Sequence, residues 1–223
     1  MDTEALWLTV RLSFLTTVIL LIIAVPLAAW LAFSRRRWTT AIEAIVALPL
    51  VLPPTVLGYY LLFAFGNQSP VGRLWQDWTG STLAFTFNGL LIASVLYSLP
   101  FAVQPMLAAF SGVDRSLIEA SAVLGRSWPA TVLRVVMPLS IAGMATAAVL
   151  SFAHTVGEFG VVLMVGGNIA GETRTLSIDV YDSVQAFDYA AAGRTSLFLL
   201  TFSFVVLLAT YMLQRRRMNW VRV

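Results

Sequence analysis

The sequence has no cysteine, no lysine and one histidine, His154, and only 11% of its 223 residues are charged. Each shortage excludes a class of protein. Without cysteine there is neither a disulfide framework nor a thiolate metal site, and nothing is said about redox compartment. One imidazole cannot build a histidine-rich metal centre. No phosphate-binding loop pattern is present, so any nucleotide energy must come from another chain. The net charge of +3 rests entirely on arginine, and its clustering bears on membrane orientation, not on nucleic acid.

What is present is apolar. Soluble domains run at about 45–50% apolar and about 25% charged. This chain is 59% hydrophobic, with a mean hydropathy of +0.84. The expected fold class is an all-α membrane protein, a single transmembrane domain over 1–223. Five stretches of about 20 residues are long enough to cross a hydrocarbon core: 12–33, 44–65, 87–109, 138–155 and 195–213. The first is no cleavable signal peptide, because Asp2 and Glu4 stand where a basic region belongs. The run Val161 to Val165 is too short to span.

Arginine sets the orientation. If Arg35, Arg36 and Arg37 are cytoplasmic, alternation puts Arg115, Arg126, Arg134, Arg215, Arg216, Arg217 and Arg222 there too, ten of the fourteen. Arg11, Arg73, Arg174 and Arg194 fall outside. The positive-inside rule therefore predicts the N-terminus outside and the C-terminus in the cytoplasm. Trp75 and Trp78 on the outer side, and Trp38, Trp128 and Trp220 on the inner, fit interfacial belts. The basic clusters also suit lipid headgroups.

Four segments depart from plain lipid-facing helix. In the second span Pro49, Pro53 and Pro54 remove three backbone donors and obstruct earlier carbonyls. Such a stretch should be a kinked packing helix or line a wet cavity. The inner loop 111–137 reads as helix–turn–helix: Asp114 is an N-cap, Gly125 a C′ residue, and Ser127 caps a second helix with Pro129 in its first turn. Leu117, Ala120, Ser121 and Leu124 fall at helical spacing on one narrow face, with Glu119 beside it. That face is either an amphipathic connector on the bilayer or a docking knob. Small residues favour docking, since a surface helix wants bulkier apolar groups and more cations.

The third segment carries His154 and Glu158, which at i, i+4 could meet on one helical face. Ionisable groups at membrane depth are functional suspects. A carboxylate repels an anion, so Glu158 reads mainly as a structural holder of the turn between Gly157 and Gly160. His154 could attract an anion if protonated, or donate a hydrogen bond if neutral. Ser94, Ser98, Ser151 and Thr155 offer further hydrogen bonds, and no arginine lies inside spans two, three or four. The fourth segment, 166–193, reads as an outer re-entrant loop and short helix. Leu176, Val180, Val184 and Phe187 can share one face, with Asp179 and Asp182 opposite.

The run Glu119-Ala-Ser-Ala-Val-Leu-Gly125, followed by Arg134-Val-Val-Met-Pro-Leu139, resembles the "EAA" loop of ATP-binding-cassette importer permeases. Leu48-Pro-Leu-Val-Leu-Pro-Pro54, Phe152-Ala-His-Thr-Val-Gly-Glu-Phe-Gly160 and Asn168-Ile-Ala-Gly-Glu-Thr-Arg-Thr175 are similar to the permease subunits of molybdate importers. Gly171-Glu-Thr-Arg-Thr favours molybdate, while Phe187-Asp-Tyr-Ala-Ala also resembles sulfate permeases. His154 stands where many relatives carry arginine.

The resemblance implies a type I importer permease in a bacterial inner membrane. It implies a second copy of the chain, two cytoplasmic ATPases carrying ATP and magnesium, and a periplasmic oxyanion-binding protein. Asp114, Glu119, Ala120, Ser121, Leu124 and Gly125 are then expected to form the ATPase-coupling helix. Pro49, Pro53, Pro54, Ser151, His154, Thr155 and Glu158 are the pathway or gate candidates. Neither a catalytic residue, a metal nor a cofactor is expected on this chain. Tungstate and sulfate stay open as solutes, and a self-contained secondary transporter is the alternative class, weakened by the lack of an inverted repeat.

Overall fold

The computed structural model describes residues 2–34 and 36–220, the last eight of these as backbone alone. Arg35 and Arg222 lie outside the described residues, and Arg215, Arg216, Arg217 and Trp220 are placed only as helix backbone. Among the described residues all regular structure is helical. The order is α1 (Thr3–Phe33), α2 (Trp38–Val51), α3 (Pro54–Phe65), α4 (Pro70–Thr79), α5 (Phe87–Ser111), α6 (Arg115–Val123) and α7 (Trp128–Thr131). A π-turn (Val132–Val136) leads into α8 (Met137–Leu139), then α9 (Ile141–Gly157), α10 (Gly160–Gly166), α11 (Leu176–Gln185) and α12 (Tyr189–Trp220).

Local chemistry explains the ends. Asp2 Oδ1 accepts from the N–H groups of Glu4 and Ala5 at 2.9 and 3.2 Å, which starts α1. Thr86 caps α5 by accepting from the Gly89 N–H, and Ser69 does the same for α4 with Gly72. α1, α5 and α9 form the centre. Ala24 and Ala28 of α1 are fully buried with Ala102, Val103, Met106 and Phe110 of α5 and Ala147 of α9. Lipid offers no hydrophobic drive between helices, so small residues that allow close approach carry the packing. α10 is short but central. Its Val161 and Val165 close one apolar cluster with Phe65, Leu83 and Ala93, and Val162 closes another with Leu8, Leu12, Leu90 and Ile178.

Three described helical stretches are long and apolar enough to cross a membrane unbroken: α1, α5 and α12 as far as Met212. The other two expected crossings are bent pairs. The stretch read as a single span over 44–65 is α2 plus α3, turned by 110°. Proline explains where it breaks. Pro49 is carried inside α2, and the Leu52 N–H still reaches the Leu48 carbonyl. Pro53 and Pro54 then lack the N–H groups that continuation needs, and Pro54 instead begins α3 at a position where a missing donor does no harm. The stretch over 138–155 is likewise bent by 82° between Leu139 and Ile141. Count and orientation of the crossings are therefore coarser in the structure than in the sequence reading.

The outer face proposed over Leu176, Val180, Val184 and Phe187 is also corrected. α11 ends at Gln185, and its buried side chains are Leu176 and Ile178. Val184 and Phe187 are exposed. Leu176 is pinned by its own N–H, which donates to Thr9 Oγ1 of α1 at 2.9 Å.

Candidate functional site

Two regions hold the predicted residues. The first is the projecting α6–α7 corner. Asp114 Oδ1 accepts from the Ser116 N–H at 2.9 Å, and that bond holds the exposed carboxyl below its ordinary pKa. At the other end the Gly125 N–H donates to the Ala122 carbonyl and the Arg126 N–H to the Ser121 carbonyl. This is a Schellman cap, and Gly125 takes the left-handed conformation it needs at φ +72°. Leu117, Glu119, Ala120, Val123 and Leu124 face outward, Val123 at 87% and Leu124 at 79% exposure.

Ser121 does not join that face. It is buried, with its Oγ 2.8 Å from Thr131 Oγ1. A buried hydroxyl needs a partner, and only the inward rotation supplies one, so Ser121 ties α6 to α7. Ser127 sits at the N-cap of α7, but its side chain makes no capping bond; its carbonyl accepts from Thr131 Oγ1 at 3.3 Å. Trp128 meets Phe33 of α1 edge-on at 5.4 Å. Val123, which no periodic pattern singled out, is the most exposed apolar side chain of the corner. From here the chain climbs through the π-turn into α9, whose 17 residues reach about 25 Å.

The second region is the far end of α9. A cavity of about 570 Å³ is lined by Pro54, Thr55, Tyr97, Ala153, His154, Gly157, Glu158, Phe159 and Gly160. Gly160 is required by close approach, since a Cβ there would lie 2.6 Å from Pro54 Cβ. Pro49 sits half-buried in α2 and Pro53 is exposed; of the three prolines Pro54 alone lines this cavity.

His154 and Glu158 do not pair as their spacing allowed. The helix ends at Gly157, and Glu158 turns to the start of α10, where Oε1 accepts from the Val161 N–H at 2.7 Å and the Val162 N–H at 3.4 Å. A carboxylate there satisfies donors that a helix start otherwise leaves orphaned. His154 turns to α5, with Nδ1 2.9 Å from Ser98 Oγ and its ring stacked 3.9 Å from Phe101. Tyr97 lies beside it at 4.9 Å. Tyr97 and Phe101 were missed in the sequence because aromatic residues within an apolar span carry no signal of their own.

Ser94, Ser98 and Ser151 are fully buried within this chain and Thr155 nearly so. Among the described residues the one salt bridge is Arg174–Asp182, in the loop before α11, at 3.7 Å. Within described residues no group of three or more metal-ligating side chains comes together.

The chain thus carries a projecting capped corner at α6–α7 and, at the far end of α9, a cavity lined in part by Pro54. Residues 24–219 match the family of binding-protein-dependent transport system inner membrane components. The chain belongs to this family. It is 52% identical to the molybdenum transport system permease protein of Azotobacter vinelandii over 96% of this chain and 95% of that one. The corresponding Escherichia coli K12 protein is 33% identical over 82% of each chain. In fold, the chain resembles a bacterial transporter that imports the polysaccharide alginate, with a TM-score of 0.76 at 19% identity, covering 96% of this chain and 79% of that one.

For a family member this geometry sorts the predicted residues by place. The corner presents Glu119, Ala120 and Leu124 outward, with Asp114 and Gly125 shaping it and Ser121 bracing it. The cavity gathers Pro54, His154 and Glu158, with Thr155 behind them and Ser151 one turn further in.

Proposed function

We propose that this chain is the permease subunit of an ATP-binding-cassette importer that moves molybdate inward across the bacterial inner membrane. Two copies form the pathway, an external binding protein delivers the solute, and cytoplasmic ATPases drive the cycle. The chain itself carries no catalytic residue and no cofactor; ATP and magnesium belong to the ATPase. The observation that carries the reading is similarity to a molybdenum permease along nearly the whole of both chains.

The coupling step follows from the corner. Val123, Leu124 and Leu117 leave apolar surface uncovered, and fully desolvated apolar anchors are what hold an interface. Ser121, Thr131 and Trp128 make the corner stiff, so displacement of α6 moves the base of α9 instead of bending the turn. α9 in turn ends on the Glu158 turn beside Pro54. The five crossings, the outside N-terminus and the cytoplasmic C-terminus belong to the same reading, which puts α6 on the arginine-rich side. The exposed apolar side chains of α12, among them Leu197, Leu200 and Phe204, suit lipid or the second copy.

The chain has no cysteine, so Ala120→Cys introduces a unique thiol on the outward face. A short crosslinker is expected to join it to the co-purified ATPase. Failure to capture any nucleotide-hydrolysing subunit overturns the coupling. Stimulation of the assembled ATPase by binding protein loaded with molybdate tests the solute; stimulation by sulfate or tungstate alone reassigns it.

A further inference from the structure

His154 is joined to α9 and α5 by a chain of contacts whose direction can be fixed by counting protons. Thr155 Oγ1 lies 2.9 Å from the Ser151 carbonyl oxygen. A carbonyl only accepts, so the single proton of Thr155 is committed there. Ser98 Oγ is 3.1 Å from Thr155 Oγ1, and with Thr155 now an acceptor Ser98 must donate. That uses the only proton of Ser98. Its contact with His154 Nδ1 at 2.9 Å then has one polarity left, in which the ring N–H donates to Ser98 Oγ. The opposite direction leaves the single Thr155 proton to serve two contacts, so either Ser98 Oγ–Thr155 Oγ1 or Thr155 Oγ1–Ser151 O has no hydrogen between its oxygens. The consistent direction also lets each bond polarise the next.

The ring is held in this setting by Phe101, stacked at 3.9 Å with 24° between planes. His154 lines the cavity with Pro54, Thr55, Tyr97 and Glu158, and its Nε2 has no hydrogen-bond partner among the described residues. We infer that Ser98, Thr155 and the Ser151 carbonyl hold His154 Nδ1 as an N–H donor and that the ring is neutral, so that the Nε2 lone pair is left to take a hydrogen-bond donor from the cavity, water, in place of an oxyanion oxygen.

This deepens the transport reading and rests on it for its consequence. A bare oxyanion offers only acceptors, and two lone pairs repel. An anion passing His154 therefore meets the second hydrogen of the ring-bound water, a bridging contact nearly as favourable as a direct one. His154 is on this account a positioning residue that keeps the passage wet and the solute weakly held, which transport requires.

The single histidine makes the test clean. In protein labelled with ¹⁵N-histidine, in lipid nanodiscs, the only side-chain imidazole signals are those of His154. The δ1 nitrogen is expected to show the protonated, proton-coupled signal and the ε2 nitrogen the unprotonated one. The reverse assignment overturns the inference. Thr155→Val frees the Ser98 proton to donate to Nδ1 and is expected to switch the ring to Nε2–H; Ser98→Ala is expected to remove the preference. Retention of the wild-type pattern in both variants overturns the hydroxyl chain as its cause, a result a packing role alone would produce. Saturating sodium molybdate, added to the permease assembled with its ATPase and binding protein, is expected to leave ε2 unprotonated. Conversion of ε2 to a donor overturns the water-bridged contact. The tautomer is read without transport, so a different solute found by uptake leaves this assignment standing.

Discussion

Two helix ends in this protein have the same hydrogen bonds and different residues at the turning point. α6 closes with the Gly125 N–H on the Ala122 carbonyl and the Arg126 N–H on the Ser121 carbonyl. α11 closes with the Phe187 N–H on the Val184 carbonyl and the Asp188 N–H on the Ser183 carbonyl. Gly125 has φ +72° and Phe187 φ +59°. Glycine occupies that region freely, whereas a bulky residue there is strained by about 1–2 kcal/mol. The α6 corner is built without strain and the α11 corner tolerates it. Asp188 supplies part of the difference, since its Oδ1 accepts from the Ala191 N–H at 2.9 Å and starts α12 immediately. The lesson is that a stop signal is local at one corner and imposed by the next helix at the other.

The sharpest way to break this comparison is a side chain at the α6 corner. Gly125→Trp meets no atom within 4 Å of its Cβ, so its effects are left-handed strain of about 1–2 kcal/mol and a wedge projecting from the exposed end of α6. Uptake is expected to fall by more than about tenfold, the scale of an interface anchor lost, with membrane content unchanged. Normal uptake would show that α6 docks on nothing.

A smaller effect is expected inside the same corner. Ser121→Ala removes the hydrogen bond that joins Thr131 Oγ1 to α6, leaving only its bond to the Ser127 carbonyl, and is expected to lower stability by about 1 kcal/mol, read as faster amide exchange across α6 and α7. Unchanged exchange would mean that the Ser121–Thr131 contact does not hold the two helices together.

The reciprocal change at the α11 corner runs the other way. Phe187→Gly relieves left-handed strain but loosens the unfolded chain by roughly 0.5–1 kcal/mol. The expected result is a melting temperature in detergent equal to or slightly above that of the parent. A clear drop would show that Phe187 is held by contacts rather than tolerated.

The smallest effect concerns acid. Asp114 has its pKa lowered by the Ser116 N–H, so the folded state favours the carboxylate. Its contribution is present above the unfolded pKa and is lost as pH falls through the lower folded value. Amide exchange at Ser116 and Leu117 should therefore rise in that acid window, and Asp114→Asn, which caps without titrating, should flatten the rise.

How much of the site was legible follows from the range of each signal. Asp114 and Gly125 are recognisable because capping acts within a few residues, and both ends of α6 fall where those two predict. Phe187 was read as part of a helical face because an aromatic side chain announces no stop; the helix ends there only because Asp188 begins another. Ser121 sits at ideal spacing for the outward face, yet Thr131 draws it inward. His154 and Glu158 have the spacing of a pair, but helix α9 ends between them and each finds a better partner elsewhere.

Composition, periodicity and local capping signals, acting alone, pointed to a membrane-embedded helical chain and to the capped α6 corner, because burial in lipid and helix capping are properties of short stretches. Folding decided the 110° break at the prolines, the inward turn of Ser121 and the Ser98 partner of His154. That last contact joins residues 56 positions apart, and hydrogen-bond partners at such separation are chosen only once α5 and α9 lie side by side.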